Sequence, residues 1–168
     1  LEFSNTFGYG KNNLINFENL DGIVGIFGNN RCGKSSIPGT LMYGLFNTTD
    51  RGPIKNQYIV NTRKGSCQAK INFTTSGKEF EILRETTKKS SKTNKITTST
   101  SLKLTNNSGE ELINKSEEQR RETEKVLRSI IGSHEEFLCT TFASQGEMNS
   151  FIKEKTTARK KNHPEEAV

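Results

Sequence analysis

The segment GIVGIFGNNRCGKSS, from Gly22 to Ser36, constrains this chain more than any other stretch. The run Gly22–Phe27 is apolar on both faces, which predicts an interior strand of a covered sheet. It ends in a glycine, four loosely constrained residues follow, and then come Gly33-Lys34-Ser35. From Ser35 to Phe46 the apolar positions Ile37, Leu41 and Leu45 recur at helical spacing. Strand, tight glycine turn and helix therefore succeed one another without a spacer. Pro38 stands against this order: read as lying beyond the free-amide positions, it predicts distorted first turns and a regular helix only from Thr40 onward.

Gly28 through Ser35 fits G-x-x-x-x-G-K-[ST], the phosphate-binding loop. Glycines let the backbone fold into a nest of inward-pointing N–H groups, and allow phosphate oxygens to come close. In such a loop Gly28, Asn29, Asn30, Arg31, Cys32, Gly33, Lys34, Ser35 and Ser36 surround the polyphosphate. Lys34 supplies a point charge to the terminal phosphates, and Ser35 offers its hydroxyl to Mg²⁺. The positive end of the following helix adds to the stability of the anion. Nucleotide binding is the expected consequence.

Composition narrows the partners. A net charge of +6 favours acidic ones, nucleic acid or nucleotides. No apolar run approaches a membrane span, and no signal-peptide pattern is present. The cysteines Cys32, Cys67 and Cys139 are scattered and odd in number, so they suggest neither a disulfide framework nor a C-x-x-C metal pair. A reducing, cytoplasmic interior fits them. Cys32, inside the glycine turn, is the thiol whose oxidation would block the loop; an inert small residue is the alternative reading.

Short strands are expected at Leu1–Phe3 and Leu14–Phe17. QAKINFTTSGKEFEILRET reads as a hairpin: Ala69, Ile71 and Phe73 alternate, Ser76-Gly77 turns, and Phe80 and Ile82 alternate again. The stretch KKSSKTNK reads as a solvated loop, or alternatively as a contact to DNA phosphates through Lys88, Lys89, Lys92 and Lys95; ITTSTSLKLT after it reads as a strand. Ser116 and Gln119 form a capping box ahead of a helix whose buried stripe is Val126, Leu127, Ile130 and Ile131, and Gly132 ends it. SHEE then opens a turn before FLCTTFASQ, read as a strand, and residues 149–161 are charged and helical in pattern.

Two nucleotide-binding classes are disfavoured. Asn114-Lys115-Ser116-Glu117 approximates the guanine-reading N-K-x-D but ends in Glu, and no D-x-x-G follows. A small kinase needs arginines gathered around the transferred phosphate, and nothing in the sequence arranges Arg31, Arg51, Arg63 and Arg84.

The segment TTFASQGEMNSF resembles the Q-loop of the SMC-like DNA-repair ATPases, the SbcC and Rad-fifty family. LEFSN with FGYG is similar to that family's opening strand and adenine-side loop, GNNRCGKSS to its Walker A, and QAKINF/KEFEILRET to its β-lobe. The resemblance runs to about Lys161. It implies an α/β fold: a P-loop NTPase of the ABC/SMC head type, here its N-terminal lobe with a mixed sheet and a hairpin subdomain. Residues 1–148 would form half of the head, with the P-loop at 28–36 and the Q-loop around 145, and 149–168 the start of a coiled-coil helix with an atypical tail.

The resemblance further implies ATP and Mg²⁺ as cofactors, with Lys34 on the β- and γ-phosphates and Gln145 reaching the metal held by Ser35 or the attacking water. Asn5, Tyr9 and the backbone near Thr62 would lie by adenine and ribose. The implied partners are the C-terminal half of the head, a second head, an SbcD-type nuclease and DNA through its backbone phosphates, in a bacterial or phage-infected cell and near the nucleoid, with no membrane. No Asp-Glu pair follows four apolar residues, and no S-G-G-Q-like signature occurs in the sequence. The family carries both in its C-terminal half, so negligible turnover is expected from these residues alone. The Leu1 start and the tail NHPEEAV read as marks of an incomplete product. A structural SMC- or RecF-like tethering head, and a nucleotide-binding fragment without catalysis, are the alternatives.

Overall fold

Alternation of inward and outward residues from Ser66 to Ser90 builds the centre of the fold. The structure is a computed structural model that describes residues 1–49, 53–90, 95–106, 108–109 and 117–141. Gln145, Ser116, Asn114, Lys115, Lys92 and the coiled-coil region 149–168 lie outside the described residues. Two compact units are distinguished, Leu1–Val126 and Leu127–Val168.

In the first unit, β3 (Ser66–Thr75) and β4 (Lys78–Ser90) pair from Ser66↔Thr87 to Thr75↔Lys78. Ser76 and Gly77 both adopt left-handed φ, 50° and 71°, and so make the two-residue turn that follows strand twist. β5 (Ile96–Asn106) continues the ladder along β4, and β1 (Glu2–Ser4) joins β3 on the other side, with the two-residue β2 (Asn13–Leu14) outermost. The order is β2-β1-β3-β4-β5, with each of these pairings antiparallel. One face is buried: Phe3, Cys67, Ala69, Ile71, Ile82, Arg84, Thr86, Leu102 and Leu104. The other carries Gln68, Asn72, Glu85 and Lys103 into solvent.

Helix α1 (Ser36–Phe46) packs on the buried face against β3 and β4. Gly44 sets the approach, because a Cβ there would come within 2.5 Å of Ile71 Cδ1. Tyr43 crosses to the sheet, where its hydroxyl meets Thr86 Oγ1 at 2.8 Å; Thr86 in turn meets Thr100 at 2.8 Å, and Asn56 Nδ2 donates to Thr100 at 2.7 Å. Burial raises the Tyr43 phenol well above its ordinary value.

Arg84 is the one fully buried cation among the described residues, and its position follows from the alternation of β4, between Ile82 and Thr86. Its Nε donates to Gly44 O at 3.1 Å and its Nη2 to Leu45 O at 3.3 Å. These carbonyls belong to the last turn of α1, where no intrahelical donor remains. Its Nη1 donates to Glu124 at 3.1 Å, on α2 (Glu117–Ile131). Burial pulls the Arg84 pKa down, and the Glu124 carboxylate pushes it back up.

The structure corrects several expectations. Pro38 is the third residue of α1, a position whose N–H has no intrahelical partner, so the helix begins at Ser36 undistorted. The second strand is only Asn13–Leu14, and residues Phe17–Asn19 form a single 3-10 turn instead. Gly22–Phe27 joins no ladder: Ile23 and Phe27 are 104% and 93% exposed. A strand apolar on both faces needs neighbours on both, and the described residues supply none. Of the strand expected over FLCTTFASQ, FLCT is instead the end of helix α3 (His134–Thr140), because Ser133 and Glu136 form a reciprocal capping box that SHEE already encodes, and residues 142–145 lie outside the described residues. Of the stripe expected on α2 only Leu127 is buried, with Val126, Ile130 and Ile131 half-buried, and Gly132 follows the helix with φ 82° and its N–H on Arg128 O. Lys88, Lys89 and Ser90 lie in β4 rather than in a loop, and the half-buried Lys88 donates its ammonium to Val60 O and Asn61 O at 3.0 and 3.2 Å.

Two stability predictions follow from these contacts. Arg84→Met, which strands the Glu124 carboxylate and two helix carbonyls, is expected to cost about 3 kcal/mol in urea unfolding, whereas Glu124→Gln costs about 1 kcal/mol. Burial also pushes the Cys67 thiol up from 9.0 to about 11. The folded state then keeps a proton that the unfolded chain releases, so this contribution is complete below pH 9.0 and is lost as pH rises toward about 11. Urea titrations at roughly pH 8.5 and pH 10.5 should show a shallower alkaline loss for Cys67→Ala.

Candidate functional site

The residues between the apolar run and α1 fold as a chain of tight turns. Arg31 and Gly33 take left-handed φ, 66° and 97°. Cys32 N donates to Asn29 O, and Ser36 N and Ile37 N donate to Gly33 O and Lys34 O. Among the described residues, the amides of Gly33, Lys34 and Ser35 have no hydrogen-bond partner. They stand at the N-terminal end of α1, where the helix dipole favours negative charge.

Lys34 curls back over this turn. Its ammonium donates to Gly28 O at 2.7 Å and to Asn29 O at 2.8 Å. The cation thus sits on the loop's own carbonyls, which an entering anion can replace with stronger charge-assisted bonds. Ser35 occupies the N-cap of α1 but its side chain caps nothing, so its hydroxyl remains available. Unpaired amides, a cation, a free hydroxyl and a helix N-terminus converge within one turn. This donor set fits a polyphosphate.

The loop has a second wall. Tyr9 donates its hydroxyl to Gly33 O at 3.2 Å, and its ring would touch a Cβ at residue 33 at 3.3 Å. Glycine at this position answers both the left-handed φ and this ring. Tyr9 is itself held edge-on by Phe3, with ring centroids 5.1 Å apart, and its carbonyl accepts from Asn61 Nδ2 at 2.9 Å. Asn5 has φ 56°; its N–H donates to Gly10 O, and its carbonyl accepts from Asn61 N at 2.8 Å. Asn5 Oδ1 is buried without a partner. Thr62 lies in the exposed turn that begins at Asn61, where Lys64 N donates to Asn61 O. The structure therefore brings Asn5, Tyr9 and the turn bearing Thr62 together, and Tyr9 connects them to the glycine-rich turn at Gly33. Gln145 falls outside the described residues.

Two features were not anticipated. One is the hydroxyl-to-Gly33 clasp of Tyr9, for which the sequence carries no spacing signal. The other is an open apolar cleft of about 660 Å³ lined by Ile15, Phe17, Leu20, Val24, Phe27 and Ile37. It is the surface left by the unpaired Gly22–Phe27 segment. Among the described residues, no three His, Cys, Asp or Glu side chains converge to hold a metal, and no helix is long and apolar enough to cross a membrane.

A family model described as "AAA domain" matches residues 1–166. The "Uncharacterized protein R555" of Acanthamoeba polyphaga mimivirus is 30% identical over 167 residues, covering 97% of this chain and 12% of that protein. The "DNA double-strand break repair Rad50 ATPase" of Sulfolobus acidocaldarius is 41% identical over 59 residues, 35% of this chain and 7% of that protein. The chain thus spans a small part of the curated relatives it matches. A solved structure titled "Structural biochemistry of ATP-driven dimerization and DNA stimulated activation of SMC ATPases" aligns with a TM-score of 0.59 at 18% identity, covering 96% of this chain and 93% of that one.

The two cysteines with described side chains differ in a measurable way. Cys32 is exposed in the turn, whereas Cys67 is buried with its thiol beside Tyr43 at 3.8 Å. At neutral pH iodoacetamide is expected to alkylate Cys32 in the native protein and Cys67 only after unfolding, as read by peptide mass mapping.

Proposed function

This chain belongs to the AAA domain family, with an α/β P-loop fold, and from that premise we propose that it is an SMC-like ATPase-head sequence of the SbcC/Rad-fifty kind that binds ATP with Mg²⁺ as the N-terminal lobe of a DNA end-processing ATPase. The observation that carries the reading is the Lys34 ammonium poised over the turn whose Gly33, Lys34 and Ser35 amides have no partner. In this reading the residues from Gly28 to Ser36 wrap the phosphates, and Lys34 leaves Gly28 O and Asn29 O for the β- and γ-oxygens. The Ser35 hydroxyl is a ligand to Mg²⁺, which the polyphosphate itself brings. Mg²⁺ neutralises phosphate charge when bound. Asn5, Tyr9 and the Thr62 turn form the adenine and ribose side. Gln145 senses the γ-phosphate; that assignment rests on the resemblance of ASQGE to the family Q-loop.

The partners follow from the same reading. The exposed apolar run Gly22–Phe27 is what a lobe awaiting the C-terminal half of its head would present. ATP would then draw two heads together, in company with an SbcD-type nuclease and with DNA held through its phosphates. A tethering or loading head of the SMC or RecF kind is the second reading, favoured by the SMC-type fold; co-purification of a nuclease separates the two.

Isothermal titration with ATP and Mg²⁺ tests the core of the proposal. Lys34→Ala removes charge-assisted bonds of about 1.5–3 kcal/mol, so affinity is expected to fall roughly tenfold to a hundredfold. Equal affinities for the two proteins would overturn it. ATP is also expected to slow alkylation of Cys32, and Lys34-dependent steady-state hydrolysis by these 168 residues alone would refute the expectation of negligible turnover.

A further inference from the structure

The glycine-rich turn contains a peptide whose orientation its own residues leave free. Gly33 takes φ 97°, a conformation that glycine adopts readily and other residues rarely do. With no Cβ at residue 33, the Gly33–Lys34 peptide can turn over at little steric cost. Which way it faces matters, because this one planar unit carries Gly33 O at one edge and the Lys34 amide at the other. The peptide is trans, so the two groups point in opposite directions. A carbonyl swung into the loop would present partial negative charge to an anion, where a nest requires N–H groups.

Two donors hold that carbonyl. Ser36 N donates to Gly33 O at 2.9 Å from the start of α1, and the Tyr9 hydroxyl donates to it at 3.2 Å from outside the loop. A carbonyl oxygen has two lone pairs, and both are used. Tyr9 is the fixed side of this contact. Its N–H donates to Thr6 O at 2.9 Å, its carbonyl accepts from Asn61 Nδ2 at 2.9 Å, and its ring stands edge-on to the buried Phe3. The buried Thr6 in turn meets Thr40 Oγ1 of α1 at 3.0 Å. The segment that carries Tyr9 is thus bonded both to the turn and to the helix that follows it.

We propose that the Tyr9 hydroxyl is a positioning group for polyphosphate: by holding Gly33 O on its own side, it keeps the Lys34 amide turned toward the anion. In this role, which rests on the phosphate-binding reading above, Tyr9 has a task beyond the adenine side and acts through the Gly33–Lys34 peptide. A donor that is already turned needs no reorganisation when the anion arrives, and the cost of ordering it is not charged to binding. The Lys34 ammonium behaves differently, because it must first leave Gly28 O and Asn29 O. One residue supplies a mobile cation and a fixed amide, and Tyr9 governs the second.

Tyr9→Phe tests this, since it removes the hydroxyl and keeps the ring against Phe3 and Gly33. Isothermal titration is run with inorganic tripolyphosphate and with ATP, both with Mg²⁺ at one salt concentration, and urea unfolding is the control for folding. One neutral hydrogen bond corresponds to about a fivefold change in affinity. Both ligands are expected to lose about that factor alike, with the urea midpoint kept and the Lys34 amide resonance of the free protein displaced in nitrogen–proton correlation spectra. Loss of ATP affinity with tripolyphosphate affinity unchanged would make Tyr9 an adenine contact and overturn the inference, as would unchanged affinity for both. Weaker binding with a lower urea midpoint and an unmoved Lys34 amide resonance would overturn it as well. Lys34→Ala separates the reading beneath: if the native chain binds tripolyphosphate no better than that variant, the phosphate-binding reading fails and the inference with it.

Discussion

The described fold depends on one buried cation. Arg84 stands on the inner face of β4, and its three donor groups reach two carbonyls at the end of α1 and a carboxylate on α2. Taking a guanidinium out of water costs several kcal/mol, which its partners must offset. They do so in a particular way, because the carbonyls of Gly44 and Leu45 are groups that a helix end leaves unpaired and that also require a partner when buried. The cation and the helix terminus therefore solve each other's desolvation. One consequence is directional. The end of α1 that carries negative dipole is fixed to the sheet, so the end that carries positive dipole is presented at a fixed place, where Lys34 and the unpaired amides lie.

That arrangement also explains the small residues in α1. Gly44 permits the helix to approach Ile71 and Ala69 closely enough for Arg84 to reach the carbonyls of Gly44 and Leu45. Tyr43 spends its hydroxyl on Thr86 and thereby completes a polar line through Thr100 to Asn56 and Asn47. A helix with an apolar seam alone could slide along the sheet. Directional bonds from Tyr43 and Arg84 leave it one register.

How much of this was legible in the sequence varied with the range of the interaction. The β3–β4 hairpin was readable because its register is set by a local turn, Ser76-Gly77, and by strict alternation. The alternation continues past Ile82 to carry Arg84, Thr86 and Lys88 on one face, against the preference of charge for solvent, and the helix-end and turn carbonyls that accept from Arg84 and Lys88 resolve that conflict. Gly22–Phe27 was read as a strand from its apolarity, yet a strand is a relation between segments, and its partner is not among the described residues. The strand expected over FLCT is a helix because the Ser133–Glu136 cap, with its reciprocal bonds, decides the matter locally. Within the candidate site the succession of glycine turn and helix was legible from the spacing of Gly28, Gly33, Lys34 and Ser35. The clasp from Tyr9 to Gly33 spans 24 residues with no repeat or pattern to announce it.

The turn after Val60 shows what long-range contacts of this kind accomplish. Asn61 donates its N–H to Asn5 O and its side-chain amide to Tyr9 O, while the carbonyls of Val60 and Asn61 accept from Lys88. Tyr9 then bonds Gly33 O. One short turn thus ties Lys88 of β4 to Tyr9, and through Tyr9 to Gly33 of the glycine-rich loop. Transmission of a signal between two sites requires an intervening element with two arrangements. This turn has its donors and acceptors committed in a single set, each worth about 1 kcal/mol and broken together if it moves. Its role in the described structure is accordingly that of a spacer, which fixes the distance between the glycine-rich loop and the Lys88 end of β4, and any change of state must arise in segments that are less fully bonded than this one.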